Sequence, residues 1–278
     1  MTEKMLIVCA DDFAISQETS EVILHLLAER RISATSCLVE TENWYRDAAR
    51  LRDLNAAVPF AAGLHLNLTE RFARALPGTT HPVAGWAMRG VVARGGATAR
   101  TIDRAFGHQW SLFVDAFGRP PDFLDGHQHV HLFPAMRDAL FRLIDDTKFK
   151  GWVRQCRTDA RRRSRDRIVL DPLSRTFMRA AKRRGIMFNP GFGGLRAFHR
   201  SEDLRGLWSG DLEAMGSGGL LMVHPGGAGS PAGADAIDAC RGDEAALLQA
   251  GRLDEILCAQ GWILCHAVPG ADAPKRAR

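Results

Sequence analysis

The sequence predicts one α/β domain whose mostly parallel strands curl into a deformed (β/α) barrel. Two observations carry this. Short apolar runs alternate with helix-length amphipathic stretches along the chain, the pattern of parallel strands covered by helices on both faces. The length of 278 residues also suits one α/β barrel, and a hydrophobic share of 46% with 25% charged residues is ordinary for a soluble globular enzyme.

The elements follow in order. Residues 5–10 (MLIVCA) read as a buried strand, and Ser16 then caps a helix with Val22, Ile23, Leu26 and Leu27 on one face. Residues 34–39 (ATSCLV) are the second strand, 43–53 a helix and 58–68 the third strand. The stretch FVDAFGRP closes a helix before a strand at 122–126, and Pro134 opens an amphipathic helix over 134–146. Runs at 151–156, 185–188, 219–223 and 261–268 complete the strands. Residues 70–98, rich in Gly, Pro and Ala, read as an insertion or lid; 225–242 reads as a long loop. A single catalytic domain over 1–270 and a frayed tail at 271–278 are expected.

The six-residue apolar run at Met5–Ala10 meets two aspartates at once, too short for a signal peptide or a membrane span, so a cytoplasmic enzyme is expected. Six cysteines without a CxxC pair read as reduced thiols. Residues 157–184 hold eleven Arg or Lys against three Asp. A solvated helix face explains them, and the sharper reading is peripheral contact with anionic lipid headgroups or acidic substrates. With Phe177 the one aromatic there, no stacking platform for nucleic acid is present and none is expected to bind. Oligomeric state is left open.

Polar residues collect where these strands end. Asp11 and Asp12 follow the first strand and His65 lies near the end of the third. Asp125, His127, His129 and His131 follow the strand at 122–126; Arg154 and His224 close two more. Carboxyl ends of parallel strands are where α/β folds build sites. Neighbouring carboxylates on a strand point to opposite faces, so one of Asp11 and Asp12 can bind a metal while the other acts as base. Three histidines at spacing two would share one face of an extended segment beside Asp125. Side chains two apart stand ~6.5–7 Å from each other, so one is a ligand and the others support it or the substrate. Which one is open at this point. His224 suits a general acid, and Arg154 can keep an aspartate ionised. The glycine-rich stretches at 189–195 and 224–234 match neither a Walker A loop nor a dinucleotide fingerprint and read as connectors. No nucleophile elbow is present.

In these residues the chain resembles the YdjC/ChbG/HpnK family of carbohydrate deacetylases. LIVCADDFA, GLHLNLTE, LDGHQHVHLFP and MVHPG occur in the family's order from residue 5 to about residue 266. The resemblance implies a deformed barrel of polysaccharide-deacetylase type, and a divalent metal held by Asp12, His65 and His127. It implies Asp11 as base, His224 as acid with Arg154 orienting Asp11, and Asp125, His129 and His131 supporting the ligands or the substrate. Zinc, iron, manganese, cobalt or magnesium would suit such a donor set. The implied substrate is an N-acetylated amino sugar, free or on a lipid as in the hopanoid-associated HpnK branch. A metal-dependent phosphoesterase and a non-catalytic sugar- or lipid-binding protein are the rival readings. The chain departs from the family's ADDFG at Ala14, so a positive φ there would be strained.

Overall fold

The first strand, β1 (Lys4–Phe13), is buried over eight of its ten residues, as expected of a central strand in a parallel sheet covered on both faces. It pairs in parallel with β2 (Ala34–Cys37) on one side. It also pairs with β8 (Gly219–Val223), from Leu6 opposite Gly219 to Ala10 opposite Val223, and with β9 (Trp262–Leu264). Beyond β2 the ladder continues through β3 (Ala61–Leu66), β4 (Phe123–Gly126), β5 (Trp152–Val153) and β6 (Met187–Phe188); beyond β8 lies β7 (Phe192–Gly193). Among the described residues all nine strands run parallel and no ladder joins β6 to β7. The sheet is thus a curled half-barrel with a seam, the deformed α/β barrel that the alternating pattern predicts. This computed structural model describes residues 3–82, 85, 96–159, 165–199, 202–227, 237–268 and 270, without the side chains of 165–167.

Helices cover the sheet between strands: α1 (Gln17–Ala28), α2 (Trp44–Ala57), α3 (Ala97–Phe117), α4 (Pro134–Thr147), α5 (Arg165–Arg183), α6 (Leu204–Ala214), α7 (Asp238–Gln249) and α8 (Arg252–Gln260). Ser16 caps α1 as expected, accepting from Thr19 N–H at 3.1 Å, and Pro134 opens α4. Gly63 shows why one strand needs a bare Cα. It sits opposite Phe123, and a Cβ there would lie 2.3 Å from the Phe123 ring. That ring stacks on Trp152 at 4.4 Å, so a single aromatic layer ties β3, β4 and β5 just below the strand ends.

Two sequence expectations need correction. The loop expected over 225–242 is helical from Asp238, where the DACRG start hid the onset of α7. The stretch at 189–195, read as a connector, supplies the two residues of β7. Of the insertion expected at 70–98, residues 70–82 form irregular chain with short turns and α3 begins at Ala97; residues 83–84, 86–95 and the tail at 271–278 lie outside the described residues.

Candidate metal centre

Near its end β1 departs from regular geometry. Cys9 and Ala10 face Ala34 and Thr35 of β2, but Phe13 faces Cys37, so three steps on β1 match two on β2. This is a β-bulge. Asp12 takes φ +67° there, and the carbonyl of Ala10 is satisfied by the Thr35 hydroxyl at 2.9 Å. The bulge corrects the expectation that Asp11 and Asp12 occupy opposite faces. Oxygens of both carboxylates lie within 4.8 Å of ring nitrogens of His65. Ala14 follows with φ +72°, the positive value that the missing glycine would have eased. Its N–H donates to Ser20 Oγ at 3.2 Å, and the Asp12 carbonyl accepts from Ile15 N–H at 3.0 Å.

Strand register delivers the other groups. His65 on β3 stands directly opposite Asp125 on β4, and its Nδ1 donates to Asp125 Oδ1 at 2.7 Å. Ser36 on β2 also donates to that oxygen, at 2.5 Å. Binding Nδ1 in this way turns Nε2 toward Asp12 Oδ1, 3.4 Å away. His127 lies just past β4, with Nδ1 2.9 Å from the same Asp12 oxygen. Ligands ~2.1 Å from one ion stand about 3.0–3.4 Å apart in octahedral or tetrahedral geometry, and these separations match. Donor atoms of Asp12, His65 and His127 all fall within 4.8 Å of one another. Two imidazoles and one carboxylate suit a divalent transition ion.

The expected row of three histidines does not form. The chain leaves β4 in a tight turn over His127–Leu132, with Gln128 at φ +51° and His129 at φ +58°. The turn sends the rings apart. His127 faces Asp12, His129 contacts Cys156 Sγ at 3.4 Å, and buried His131 donates from Nε2 to the Arg154 carbonyl at 2.9 Å.

Arg154 extends β5, its N–H bonded to the Leu124 carbonyl, and its side chain is fully buried. The guanidinium grips both oxygens of Asp11 at 2.6 Å and approaches Asp125 Oδ2 at 2.7 Å. Burial raises the Asp11 carboxyl, while Arg154 and His65 hold it back; the net shift is upward. For Asp125 burial also raises, but Arg154 and His65 outweigh it and hold the carboxyl well below its usual range. Burial would lower the His65 imidazole, yet Asp125 and Asp11 push it up to about 10.

Arg241, Glu244 and Arg196 were not singled out in the sequence. Arg241 of α7 is fully buried and donates to Asp12 Oδ2 at 2.6 Å. One oxygen of Asp12 therefore carries a guanidinium and the other faces the two histidines. Against the upward pull of burial, Arg241 and His127 bring Asp12 well below its usual value. One turn on, Glu244 accepts the backbone N–H of His224 and pairs with Arg196 at 2.7 Å. Arg241, Glu244, Ala245 and Leu248 are all buried at helical spacing; charges within such an apolar stripe were the available signal. His224 is 8% exposed, packs edge-on against Phe198 and has no hydrogen bond at Nδ1 among the described residues. Burial lowers its ring, as do Arg241 and Arg196 against the opposing pull of Asp12, so it rests neutral. Gln128, next to His127, donates to Glu70 in the loop after β3 at 3.4 Å, and the same loop lines an open cavity of about 420 Å³ between Arg71 and Thr80.

The chain resembles known proteins in part of its sequence and in its fold. A chitooligosaccharide deacetylase of Enterobacter sp. (strain 638) is 31% identical over 137 residues, 48% of this chain and 53% of that protein. One from Yersinia enterocolitica is 33% identical over 137 residues, 48% of this chain and 52% of that protein. The chain spans about half the length of the curated relatives it matches. Among solved structures, a proposed cellobiose-phosphate cleavage protein of Enterococcus faecalis V583 superposes with TM-score 0.74 at 18% identity, covering 95% of this chain and 98% of that one. A family 4 carbohydrate esterase of Streptomyces lividans, in complex with acetate, superposes with TM-score 0.50 at 11% identity, covering 97% and 98%. Both are likenesses of fold, and the curled parallel half-barrel is of the family 4 carbohydrate esterase type. The model of the family described as YdjC-like protein matches residues 5–259, and the chain belongs to that family.

Proposed function

We propose that the chain is a metal-dependent amidohydrolase that removes the N-acetyl group of an amino sugar. The observation that carries this reading is the convergence of Asp12, His65 and His127 on one point, with Asp11 beside them in the grip of Arg154. Membership of the YdjC-like family and the partial likeness to chitooligosaccharide deacetylases support it.

Asp12 Oδ1, His65 Nε2 and His127 Nδ1 are the atoms that would hold a divalent cation. When bound, such a cation supplies acidity to a water molecule and polarisation to the acyl oxygen. Asp11 takes the proton of the attacking water, and Arg154 keeps its carboxylate ionised and fixed. His224 hands a proton to the departing amine. It is neutral beforehand, so its proton arrives during the reaction, and the count closes when the proton held by Asp11 has reached the amine. The Arg154 and Arg241 guanidiniums are tied to carboxylates, which counts against a phosphoester substrate.

The direct test is acetate release from chitooligosaccharides and from a lipid bearing N-acetylglucosamine, by chelator-stripped protein re-supplied with single divalent ions. Release is expected with a cation and lost in His127→Ala. The preferred substrate separates the oligosaccharide type from the lipid-linked HpnK type. Stoichiometric metal uptake without acetate release from either substrate would sink the reading in favour of a binding protein.

Without a cation, Asp11, Asp12 and Asp125 are balanced by Arg154, Arg241 and the His65 imidazolium. A metal ion must displace the His65 proton. Metal affinity is therefore expected to rise about tenfold per pH unit through the neutral range and to level off where His65 deprotonates, at about 10. Titration calorimetry in buffers of different ionisation enthalpy would count the proton released, and a pH-independent affinity would remove His65 as ligand.

A further inference from the structure

Helix α5 presents two unlike faces. Successive residues turn by ~100°, so steps of four and three hold one line. Leu170, Ser174, Phe177 and Ala181 form the buried line, with Phe177 against the rings of His131 and Phe141. Opposite them run Ile168, Pro172, Arg175, Arg179 and Lys182, all exposed, flanked by exposed Val169, Thr176 and Arg183. No exposed described position of the helix is acidic. Among the described residues no ion pair joins Arg175, Arg179, Lys182 or Arg183 to a carboxylate, although the next residue, Arg184, pairs with Asp145 at 3.0 Å.

At the N-terminal end of this stripe stand Ile168, 76% exposed, and Val169, 53% exposed, the two most exposed large aliphatic side chains among the described residues. Arg154 at the carboxyl end of β5 is followed by Cys156, whose N–H donates to Ser174 Oγ, and by Thr158, whose N–H donates to Asp171 Oδ1. The aliphatic end of α5 is therefore pinned to the chain that leaves the metal centre, on the side of the barrel where the strands end. No helix of the described residues is long and apolar enough to cross a membrane.

We propose that this face of α5 docks on an anionic lipid surface, with Ile168 and Val169 entering the boundary between headgroups and acyl chains. The occupant follows from the two chemistries together. A soluble polyanion would satisfy the four cations and leave both aliphatic side chains in water. A bilayer takes both, phosphates on the basic stripe and methyl groups below them. The helix lies along such a surface, and the metal centre is brought near it. This inference rests on α5 alone and stands whether or not the centre is a deacetylase.

Co-sedimentation of the full chain with phosphatidylcholine vesicles, with and without phosphatidylglycerol, tests it. Partitioning is expected on the mixed vesicles, with little on phosphatidylcholine alone, and it should weaken as salt rises. R175Q/R179Q is expected to lower it ~25-fold, about fivefold per basic residue lost. I168S/V169S should lower it several-fold; these positions face water, so circular dichroism and thermal unfolding should match the parent. Equal binding to uncharged vesicles, or no loss in R175Q/R179Q, would overturn the proposal. So would full vesicle binding in I168S/V169S together with equal capture by heparin, which would make the stripe a site for soluble polyanions.

Discussion

Asp11→Asn is expected to keep one equivalent of divalent cation and to lose roughly three orders of magnitude in acetate release, since a general base is worth ~10²–10⁴-fold. The separation is possible because the three candidate ligands do not include Asp11, whose oxygens are both held by Arg154. Asparagine keeps the shape and one acceptor oxygen for the guanidinium but cannot take a proton from water. Metal content by elemental analysis and turnover by acetate detection check the two halves independently. A variant within about tenfold of the parent rate would remove Asp11 as base. A variant that lost its metal would instead move Asp11 among the ligands.

Arg154→Met is expected to be the most destabilising single change at the site, by ~3–5 kcal/mol at neutral pH in metal-stripped protein, because it leaves buried carboxylates without their cation. Its pH dependence has a definite sign. In the parent, Asp125 lies below the reference carboxyl of 3.8, so its contribution is present above that value and lost as pH falls further. Asp11 lies above the same reference, so its burial costs stability as pH rises through and beyond 3.8. Removing Arg154 raises both carboxyls, so the stability gap between parent and variant should widen from pH 4 to pH 7. Urea denaturation across that range measures it, and a gap independent of pH would mean that Arg154 acts through packing alone. Arg154→Lys is expected to recover part of the stability, because one ammonium supplies the charge but cannot grip Asp11 with two parallel bonds.

Much of the fold and the candidate ligands could be read from residue order. Nine groups at strand ends were legible because parallel strands carry their sites there, and the structure brings Asp11, Asp12, His65, Asp125, His127 and Arg154 together. Three things escaped for different reasons. Strand and spacing rules assume regular backbone, so they could not foresee the bulge that gives Asp11 and Asp12 one site, nor the left-handed pair at Gln128 and His129 that scatters three histidines. Arg241 escaped because it is 229 residues from Asp12 and sits in a helix whose start was read as loop. Ser36 was within the expected strand, but a hydroxyl there carries no periodic signal of its contact with Asp125.

The wide separation of Asp12 and Arg241 also bears on how the chain reaches its native state. The centre gathers side chains from β1, β3, the chain after β4, β5 and α7, and no two adjacent elements hold the donor set alone. Contacts so remote in sequence carry a high loop-closure cost, so they are expected to form late, once the rest of the barrel has brought the ends together. A cation therefore has little to bind in the nascent or partly folded chain, unlike the local ligand clusters of small zinc domains that fold around their metal. Uptake of a cation by this donor set is therefore expected to follow the completion of folding and not to initiate it.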